Sequence, residues 1–421
     1  MAGSRWRWLC VFGVNLLYFA ALINYDGVCV PVTTTFAERL QKLPPYLFAE
    51  IDKVKRAVMA QGKDVINLGV GDPDMPTPAH IVAALQAAAT DPANHQYALD
   101  QGKPALRRAA AALYQRRFGV ALDPDANVLP LLGSKEGIGH IHLAFVNPGD
   151  VVLVPEPGYP VYHSGTLFAG GETYWMPLKK ENAYLPDLEA IPEDVARRAR
   201  MMFICYPNNP VAVTAPLSFF EEVVAFAQKY DVLVCHDAAY CDVYYDGKQP
   251  PSFLQAPGAM EVGIEYYSLS KTYNMTGWRV AFAVGNAAML AGLGKVKSNL
   301  DSGIFGAVQD AAVAALNGPQ ECHAQILATY QERRDVLVSG LRACGCAVEP
   351  PQAAFYVWVP VPRGMSSAET TLRLLQEAAI VTTPGNGFGP SGEGYVRMTL
   401  TAPAARLREA VARIAALKWY G

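Results

Sequence analysis

Short apolar runs that each end in a polar residue are the feature of this chain that most restricts its fold. The runs are "NVLPLL", "RMMFIC", "DVLVCH" and "IEYYSL", and patterns typical of helices lie between them. Strands that alternate with helices favour an α/β fold with a mostly parallel sheet and right-handed crossovers. The polar residues that follow the runs are Gly133-Ser134, Asn209, Asp237 and Ser268 with Lys271. Ligands of such sheets bind beyond the carboxyl ends of the strands, so we expect these residues to meet at one site.

The composition is that of a compact globular protein. The chain has 421 residues, of which 51% are hydrophobic and 17% charged, enough for two domains with a sizeable core. Its net charge of −3 gives no reason to expect nucleic-acid binding. Eight cysteines are too few for a disulfide scaffold, and Cys344 and Cys346 have no second pair at zinc-finger spacing. We therefore expect no metal site.

The amino-terminal segment, residues 1–35, differs from the rest of the chain. Arg5 and Arg7 precede the mostly apolar run "WLCVFGVNLLYFAALI", which resembles a signal sequence but is short for a membrane-spanning helix. A signal or anchor, a buried extension and a start codon placed too far upstream all remain open. We favour the misplaced start, which makes a cytoplasmic enzyme the expectation and a membrane anchor the alternative.

The remaining chain is predicted to form two domains. Residues 64–300 form a large domain, and residues 36–63 together with 301–421 form a small one. The small domain contains a helix around "ILATYQERRDVLVSGLRACG" and the strands "AAFYVWVPV" and "GYVRMTL". Within the large domain, Ser218 and Glu221 predict a capping box for the helix "FFEEVVAFAQKY".

The polar residues suit a phosphorylated, aldehyde-bearing ring. Ser134 opens a helix after a glycine turn, which makes an anion site, and Ser268 and Arg279 add donors suited to a phosphate dianion. A carboxylate at the buried position of Asp237 requires a cationic partner. Asn209 and Tyr240 add hydrogen-bond donors, and Lys271 adds a primary amine. Pyridoxal phosphate presents a phosphate, a cationic ring nitrogen, a phenolate oxygen and an aldehyde, which such residues bind.

Several motifs resemble those of fold-type-I, class I/II aminotransferases. "SLSKTYNMTGWR" resembles their S-x-x-K-x7-R motif, "YPNNP" their N-P-x-N-P turn and "DAAY" their D-x-x-Y. "LLGSKEG" resembles their phosphate-binding turn and "YVRMTL" the strand with their substrate arginine. The resemblance covers about residues 36 to 421, in the family's order. It implies a mostly parallel central sheet in a large domain, a smaller α/β domain, and pyridoxal phosphate as the cofactor.

The resemblance also implies catalytic roles. Lys271 would bind the cofactor covalently and, once released by the substrate, would move the substrate's Cα proton as general base and acid. Asp237 would keep the pyridine nitrogen protonated. Asn209 and Tyr240 would bond the phenolate oxygen of the ring, and Tyr159 would stack on its face.

Binding roles follow from the same resemblance. The phosphate would be held by Ser134, Lys135, Ser268 and Arg279. Arg397 would bind the substrate α-carboxylate, with Gly71 and Asn209 close by. Tyr97 would reach the phosphate of a neighbouring subunit, which implies a homodimer with shared active sites. The substrates would be an amino acid and a 2-oxo acid.

The sequence departs from the family pattern in one turn. Val211-Ala212 replaces the usual Thr-Gly, and Tyr206 replaces the first Asn of that motif. If the glycine normally has a positive φ, Ala212 is strained. Strand alternation places His236 on the face opposite Asp237, so we interpret it as structural. Cys205, Cys235 and Cys241 are expected to be buried packing residues.

Two stretches, "LPPYLFAEIDKVKRAVMAQGKDVINLGVGDPDMPTPAHIV" and "KSNLDSGIF", look most like LL-diaminopimelate aminotransferases, which act in lysine biosynthesis. Their substrate, LL-2,6-diaminopimelate or tetrahydrodipicolinate, exchanges an amino group with 2-oxoglutarate or glutamate. A second amino-carboxylate end requires further polar contacts, for which Asp100, Asn299 and Asp301 are candidates.

Other functions remain open. Relatives that act on alanine, aspartate or aromatic amino acids share the same motifs, and a lyase on this fold would keep Lys271 and Asp237. A nicotinamide oxidoreductase is disfavoured because "GVGDPD" lacks the third glycine of G-x-G-x-x-G. A regulator with an aminotransferase-like sensor is disfavoured because the amino-terminal segment is too short for a winged helix.

Overall fold

The computed structural model describes residues 34–43, 47–98 and 101–420. Its contacts define two compact units, Met1–Gln41 and Lys42–Gly421. The described part of the first unit contains one short helix, α1 (Glu38–Gln41). Residues 1–33, which carry most of the predicted apolar extension, lie outside the described residues. Within the described ranges, none of the helices combines the length and the apolar composition that a bilayer span requires.

The second unit alternates helices and strands. Its strands are β1 (Ile66–Asn67), β2 (Val128–Leu131), β3 (Val151–Glu156), β4 (Glu172–Pro177), β5 (Ala199–Cys205), β6 (Leu233–Asp237), β7 (Gly263–Ser268), β8 (Ala281–Gly285), β9 (Tyr356–Pro360), β10 (Ile380–Val381), β11 (Thr383–Pro384) and β12 (Tyr395–Thr399). Its helices are α2 (Leu47–Met59), α3 (Ala79–Ala89), α4 (Pro104–Phe118), α5 (Ser134–Phe145), α6 (Pro160–Ala169), α7 (Glu193–Arg198), α8 (Leu217–Tyr230), α9 (Ala259–Val262), α10 (Leu269–Thr272), α11 (Ala287–Leu300), α12 (Gly306–Asn317), α13 (Glu321–Ala343), α14 (Ser367–Ala378) and α15 (Ala404–Leu417).

The central sheet has seven strands in the order β2-β8-β7-β6-β5-β3-β4. Strand β8 runs antiparallel to both of its neighbours, and the other pairs are parallel. The predicted mostly parallel sheet is therefore confirmed. The carboxyl ends of β2, β5, β6 and β7 reach one edge of the sheet, and β8 begins at that edge. This edge is where the polar residues of the sequence motifs follow their strands.

Helices cover both faces of the central sheet, which is why its strands are apolar along their whole length. Buried residues of α5, α6 and α11 pack on one face, and those of α4, α8 and α12 pack on the other. Adjacent residues of β6 point to opposite faces. Asp237 contacts Tyr162 on the first face, whereas His236 contacts Glu265 on the second. The predicted orientation of His236 is confirmed.

A smaller sheet carries the late arginine motif. Strands β11, β12 and β9 pair antiparallel in that order, and β1 pairs with β10 in a separate parallel ladder. Their buried residues share a cluster with residues of α13 and α15. In the ladder between β12 and β9, Arg397 lies opposite Trp358 and Thr399 lies opposite Tyr356. The boundary between a large and a small domain stays a prediction.

Helix α8 starts earlier than its sequence pattern indicates. It begins at Leu217 with Pro216 as its N-cap residue, so Ser218 already lies inside the first turn. The predicted capping box of Ser218 and Glu221 is therefore wrong. Proline has a fixed φ near that of a helix and lacks an N–H group, which suits it to a helix start.

Candidate active site

Lys271 lies in a single helical turn at the carboxyl end of β7. Ser268, the last residue of β7, caps this turn by accepting a hydrogen bond from the Ser270 N–H over 3.3 Å. The half-buried Lys271 donates from Nζ to the carbonyl oxygen of Gly71 over 3.2 Å. Its ammonium group lies 5.4 Å from the centroid of the Phe355 ring. The amine is thus held between the central sheet and the loop that contains Gly71.

The surroundings of Lys271 favour its neutral form. The pKa of Lys271 is lowered to about 8, mainly by burial and also by the nearby cations Arg279 and Arg397. Asp72 and Asp237 act in the opposite direction but do not outweigh burial. A lysine with a depressed pKa has a sizeable fraction of free amine near neutral pH, which is the form that attacks a carbonyl group.

Asp237 ends β6 and is 5% exposed. Its Oδ2 atom accepts a hydrogen bond from the Tyr162 hydroxyl over 2.8 Å, and Oδ1 accepts one from the Ala239 N–H over 3.2 Å. Burial raises the pKa of Asp237, while these two donors and the nearby Lys271 and His236 lower it. The carboxylate is thus oriented by neutral donors.

Tyr162 was not identified from the sequence. It lies in α6, three residues after Tyr159, and the "PGYPVY" motif drew attention only to the earlier tyrosine. The Tyr162 ring stacks on Phe203 at a centroid distance of 4.9 Å and meets Tyr159 edge-on at 5.8 Å. The half-buried Tyr159 therefore lies beside the Asp237–Tyr162 pair.

Arg397 is held by two acceptors in a site that is almost closed to solvent. It is 2% exposed, and its Nη1 donates to Asn209 Oδ1 and its Nη2 to the carbonyl oxygen of Gly69, each over 2.8 Å. The guanidinium lies 4.2 Å from the Tyr356 ring centroid and 4.7 Å from that of Phe388. Burial lowers the pKa of Arg397, yet a guanidinium stays charged in proteins. A buried cation of this kind attracts a carboxylate.

Tyr240 and Tyr356 connect the arginine to the lysine. Their hydroxyl groups are 2.7 Å apart, and burial raises the pKa of both, so both stay protonated at neutral pH. A Cβ atom on Gly71 would lie 2.3 Å from the Tyr356 hydroxyl, so only glycine fits there. Tyr356 was missed because nothing in its strand distinguishes it from a core aromatic.

Three of the residues predicted to hold the phosphate, Ser134, Lys135 and Arg279, lie at the start of α5. Gly133 has a φ of 82° and precedes Ser134, the first residue of the helix. Arg279 Nη2 donates to the Leu132 carbonyl over 3.4 Å, and a Cβ atom on Gly133 would lie 2.2 Å from that nitrogen. The guanidinium therefore lies directly against the helix start, with the exposed Lys135 in the next position. A helix N-terminus beside an arginine binds anions.

The remaining predicted residues lie elsewhere. Tyr97 is 88% exposed. Asn299 donates to the Lys295 carbonyl over 2.8 Å, and Asp301 accepts from Lys297 over 3.1 Å. Asp100 lies outside the described residues. The substrate roles of Asp100, Asn299 and Asp301 therefore stay predictions.

The turn after Asn209 has the left-handed backbone conformation at Ala212 that the missing glycine of the motif predicted. Ala212 is buried with a φ of 65°, a conformation that favours glycine. Val211 packs against Trp358 and Phe388, and the Tyr206 hydroxyl donates to the Tyr184 carbonyl over 2.7 Å. The turn therefore supports the aromatic residues around Arg397. The three cysteines expected to be buried, Cys205, Cys235 and Cys241, are so.

These residues suit a phosphorylated pyridine aldehyde. They include an amine with a lowered pKa, a buried carboxylate that accepts from two neutral donors, and a guanidinium against a helix start. Each group is complementary to one part of that molecule, and Gly133 leaves room for the guanidinium where a Cβ atom would collide with it. The site therefore fits the cofactor expected from the sequence.

The chain is similar to known proteins over most of its length. The family model for aminotransferases of class I and II matches residues 63–414. LL-diaminopimelate aminotransferase of Syntrophobacter fumaroxidans is 59% identical over 91% of this chain and 99% of its own, and that of Moorella thermoacetica is 56% identical over 90% and 97%. The substrate-bound BacF structure from Bacillus subtilis superimposes with a TM-score of 0.89 at 39% identity, over 92% of this chain and 99% of that one.

Proposed function

Because the chain belongs to the class I and II aminotransferases, with the type I fold of that family, it is a transaminase, and we propose that its amino donor is LL-2,6-diaminopimelate. The amino acceptor is then 2-oxoglutarate, and the reaction belongs to lysine biosynthesis. The observation that carries this proposal is the 59% identity to a protein named for that donor, over nearly the full length of both. The buried arginine beside a nucleophilic lysine supplies the chemistry.

Pyridoxal phosphate is the proposed cofactor. Lys271 would hold its aldehyde carbon, Asp237 its ring nitrogen, Asn209 and Tyr240 its phenolate oxygen, and Tyr159 the face of its ring. The phosphate would be held by Ser134, Lys135, Ser268 and Arg279. When bound, the cofactor supplies an electron-withdrawing ring that stabilises negative charge at the substrate Cα.

Arg397 binds and orients the substrate in this proposal. Its two bonds to Asn209 and the Gly69 carbonyl fix the guanidinium plane, and the rings of Tyr356 and Phe388 restrict its rotation. A fixed guanidinium forms two parallel hydrogen bonds with a carboxylate, which sets orientation as well as affinity. The substrate's Cα–H bond is thereby directed towards Lys271.

Lys271 moves the proton. Its lowered pKa, about 8, lies near operating pH, so the free amine can take the Cα proton and its ammonium form can return it. The Gly71 carbonyl accepts a hydrogen bond from Nζ and so positions the amine when it is not bonded to the cofactor. The aromatic rings of Phe355 and Tyr356 exclude water from the same region.

We propose that the active enzyme is a homodimer. What supports this is the position of Tyr97, whose aromatic ring is 88% exposed in a single chain. In the dimer this ring would be buried, with its hydroxyl near the phosphate of the other subunit. Each site would then need both chains.

A donor screen tests the proposed function. Purified protein reconstituted with pyridoxal phosphate is mixed with diaminopimelate, alanine, aspartate and aromatic amino acids, and the loss of the bound cofactor's absorbance is followed. We expect diaminopimelate to give the fastest half-reaction, and glutamate to form when 2-oxoglutarate is added. A faster reaction with alanine or aspartate would overturn the donor and leave the transaminase.

A second candidate within the same fold is a lyase, which would use the same Lys271 and Asp237. The buried Arg397 does not distinguish the two reactions, since both bind an amino acid. Formation of glutamate from 2-oxoglutarate distinguishes them, because only a transaminase transfers the amino group.

A further inference from the structure

Lys297 is a buried lysine that the proposed reaction does not use. It lies in α11 and is 1% exposed. Its Nζ atom donates to Glu136 Oε2 over 3.1 Å and to the two oxygens of Asp301 over 3.1 and 3.3 Å. A buried ammonium between two carboxylates joins the end of α11 to the first turn of α5. That turn is the one that starts at Ser134.

Glu136 connects this ammonium to the backbone of the anion-binding turn. Its Oε2 atom also accepts a hydrogen bond from the Leu132 N–H over 3.1 Å, and Oε1 is 2.8 Å from His140 Nδ1. The carbonyl group of the same Leu132 accepts from Arg279. Charged side chains therefore hold both the N–H and the C=O group of the residue just before Gly133.

The position of Glu136 raises an electrostatic problem. It lies two residues after Ser134, so an anion bound at the start of α5 is close to a carboxylate of the same helical turn. A carboxylate repels a phosphate dianion, and the repulsion is large where side chains are shielded from water. Lys297 contacts the same carboxylate oxygen that holds Leu132, and its charge offsets that repulsion without breaking the backbone contact.

Glu136, His140 and Asp301 also have the residue types and spacing of a metal site, with their ligand atoms within 4.8 Å of one another. The ammonium of Lys297 lies against Glu136 and Asp301 and supplies the positive charge that a cation would bring. The observations therefore favour an internal ion pair over a metal site.

We propose that Lys297 is a positioning residue for the phosphate end of the site. It offsets part of the negative charge of Glu136 and Asp301, and Glu136 holds the Leu132–Ser134 turn in the geometry that binds the anion. The inference rests on the proposed function, because it takes pyridoxal phosphate as the ligand. It assigns to this chain a selectivity for the phosphorylated cofactor that depends on a residue outside the phosphate contacts.

Binding by the full-length apoprotein tests this proposal. Dissociation constants of pyridoxal phosphate and of pyridoxal, which lacks the phosphate, are measured by equilibrium dialysis for each variant. Lys297→Met should raise the dissociation constant of pyridoxal phosphate about tenfold, the order expected for one uncompensated charge near a dianion. The dissociation constant of pyridoxal should change less than about twofold. Lys295→Met is the matched control, since Lys295 lies in the same helix but is exposed. It should change neither constant.

Glu136→Gln provides a prediction of the opposite sign. The amide oxygen of glutamine can still accept from Leu132, while the negative charge is gone, so pyridoxal phosphate should bind as tightly as in the wild type or more tightly. The double variant Lys297→Met, Glu136→Gln should recover the affinity that Lys297→Met loses. Circular dichroism and melting temperature show whether each variant is folded. If Lys297→Met does not fold, the affinity of Glu136→Gln for pyridoxal phosphate still tests the proposal.

Unchanged binding of pyridoxal phosphate by Lys297→Met overturns the proposal, and so do two further results. One is an equal loss of pyridoxal and pyridoxal phosphate binding in Lys297→Met, which indicates general damage. The other is weakened phosphate-dependent binding in Glu136→Gln. Failure of the proposed function is a different outcome, because a wrong donor or reaction is detected by the donor screen on the wild-type protein, and a wrong cofactor by a wild-type protein that binds neither ligand.

Discussion

Tyr162 donates its hydroxyl hydrogen to Oδ2 of Asp237 over 2.8 Å, and both side chains are buried. The pair joins the first turns of α6 to the end of β6. Burial raises the pKa of the tyrosine and of the aspartate, so a charged carboxylate here depends on its hydrogen-bond donors. Tyr162 supplies the largest of the contributions that lower the pKa of Asp237.

The first prediction concerns this pair. Tyr162→Phe removes a donor to a carboxylate, and such a hydrogen bond contributes about 1.5–3 kcal/mol. The pKa of Asp237 should rise, so Asp237 is protonated in a larger fraction of the enzyme at a given pH. The acidic limb of the kcat/KM profile should therefore move to higher pH. We expect kcat to fall about tenfold or more. Steady-state kinetics across pH measure both effects.

The matched control is Tyr245→Phe. The Tyr245 hydroxyl is also buried, but it donates to the Ala354 carbonyl over 2.6 Å and not to Asp237. This variant should lose a similar amount of stability and keep the wild-type pH profile. If both variants shift the profile alike, Tyr162 acts only through stability.

The second prediction assigns the covalent residue. Lys271→Ala should bind no cofactor that borohydride can trap, and transamination should fall by at least about 10³-fold, since both the nucleophile and the general base are lost. Mass spectrometry of peptides from the reduced wild-type protein should find the adduct on Lys271. Lys229→Ala, a change at a distant lysine of α8, is the control and should retain both properties. Normal turnover of Lys271→Ala would exclude that lysine from the mechanism.

The third prediction is a pH dependence. A protonated amine does not attack an aldehyde, and the pKa of Lys271 is lowered to about 8. The rate at which the apoprotein attaches pyridoxal phosphate should therefore rise with pH and reach half its maximum near pH 8. Arg397→Gln removes a cation that lowers this pKa, so the midpoint should move upwards. Stopped-flow absorbance measures the rate, and a midpoint near that of free lysine would contradict the assignment.

The fourth prediction concerns the substrate carboxylate. Arg397→Lys keeps a positive charge but cannot form the two-pronged contact while bonded to Asn209 and the Gly69 carbonyl. KM for every amino-acid donor should rise about tenfold to a hundredfold. Arg333→Lys is the control, since Arg333 is similarly buried but bonds Asp74 over 2.6 Å. An unchanged KM in Arg397→Lys would place the carboxylate elsewhere.

The fifth prediction tests the strained turn. Ala212→Gly removes the strain of a left-handed alanine, which stabilises the folded state by about 1–2 kcal/mol. Two effects oppose this gain: glycine raises the conformational entropy of the unfolded chain, which costs about 0.4–1 kcal/mol, and the loss of a buried methyl group costs about 0.8 kcal/mol. The free energy of unfolding should therefore stay within about 1 kcal/mol of the wild-type value. Ala212→Val should lower it by more than about 2 kcal/mol, because a β-branched residue is strongly disfavoured there. Urea denaturation measures both, and a tolerated valine would show that the turn can rearrange.

The residues that end the central strands could be identified from the chain alone. Asp237 and Ser268 close β6 and β7, and Ser134 opens α5 after β2, as the alternation of apolar runs and polar ends predicted. These features are local, because strand length, glycine turns and the polarity of the next residue each depend on residues that are adjacent in the sequence. Because these strands are parallel, their carboxyl ends lie at the same edge of the sheet.

The partners of those residues could not be identified in this way. Arg397 and Asn209 are 188 positions apart, and Tyr240 and Tyr356 are 116 apart, yet each pair is in hydrogen-bond contact. No spacing rule connects such positions, because their approach depends on how the two sheets pack. The motif resemblance implied that Arg397 and Asn209 lie near the same substrate, but not that Asn209 and Gly69 accept hydrogen bonds from Arg397.

Local patterns thus determined the order of strands and helices, and the positions of Lys271 and Asp237 at the ends of their strands. Only the tertiary structure determined the lowered pKa of Lys271, the hydrogen bond between Tyr162 and Asp237, and the burial of Lys297 against Glu136. The reason is physical, since burial and charge depend on every group nearby in space, and most of those groups are remote in the chain.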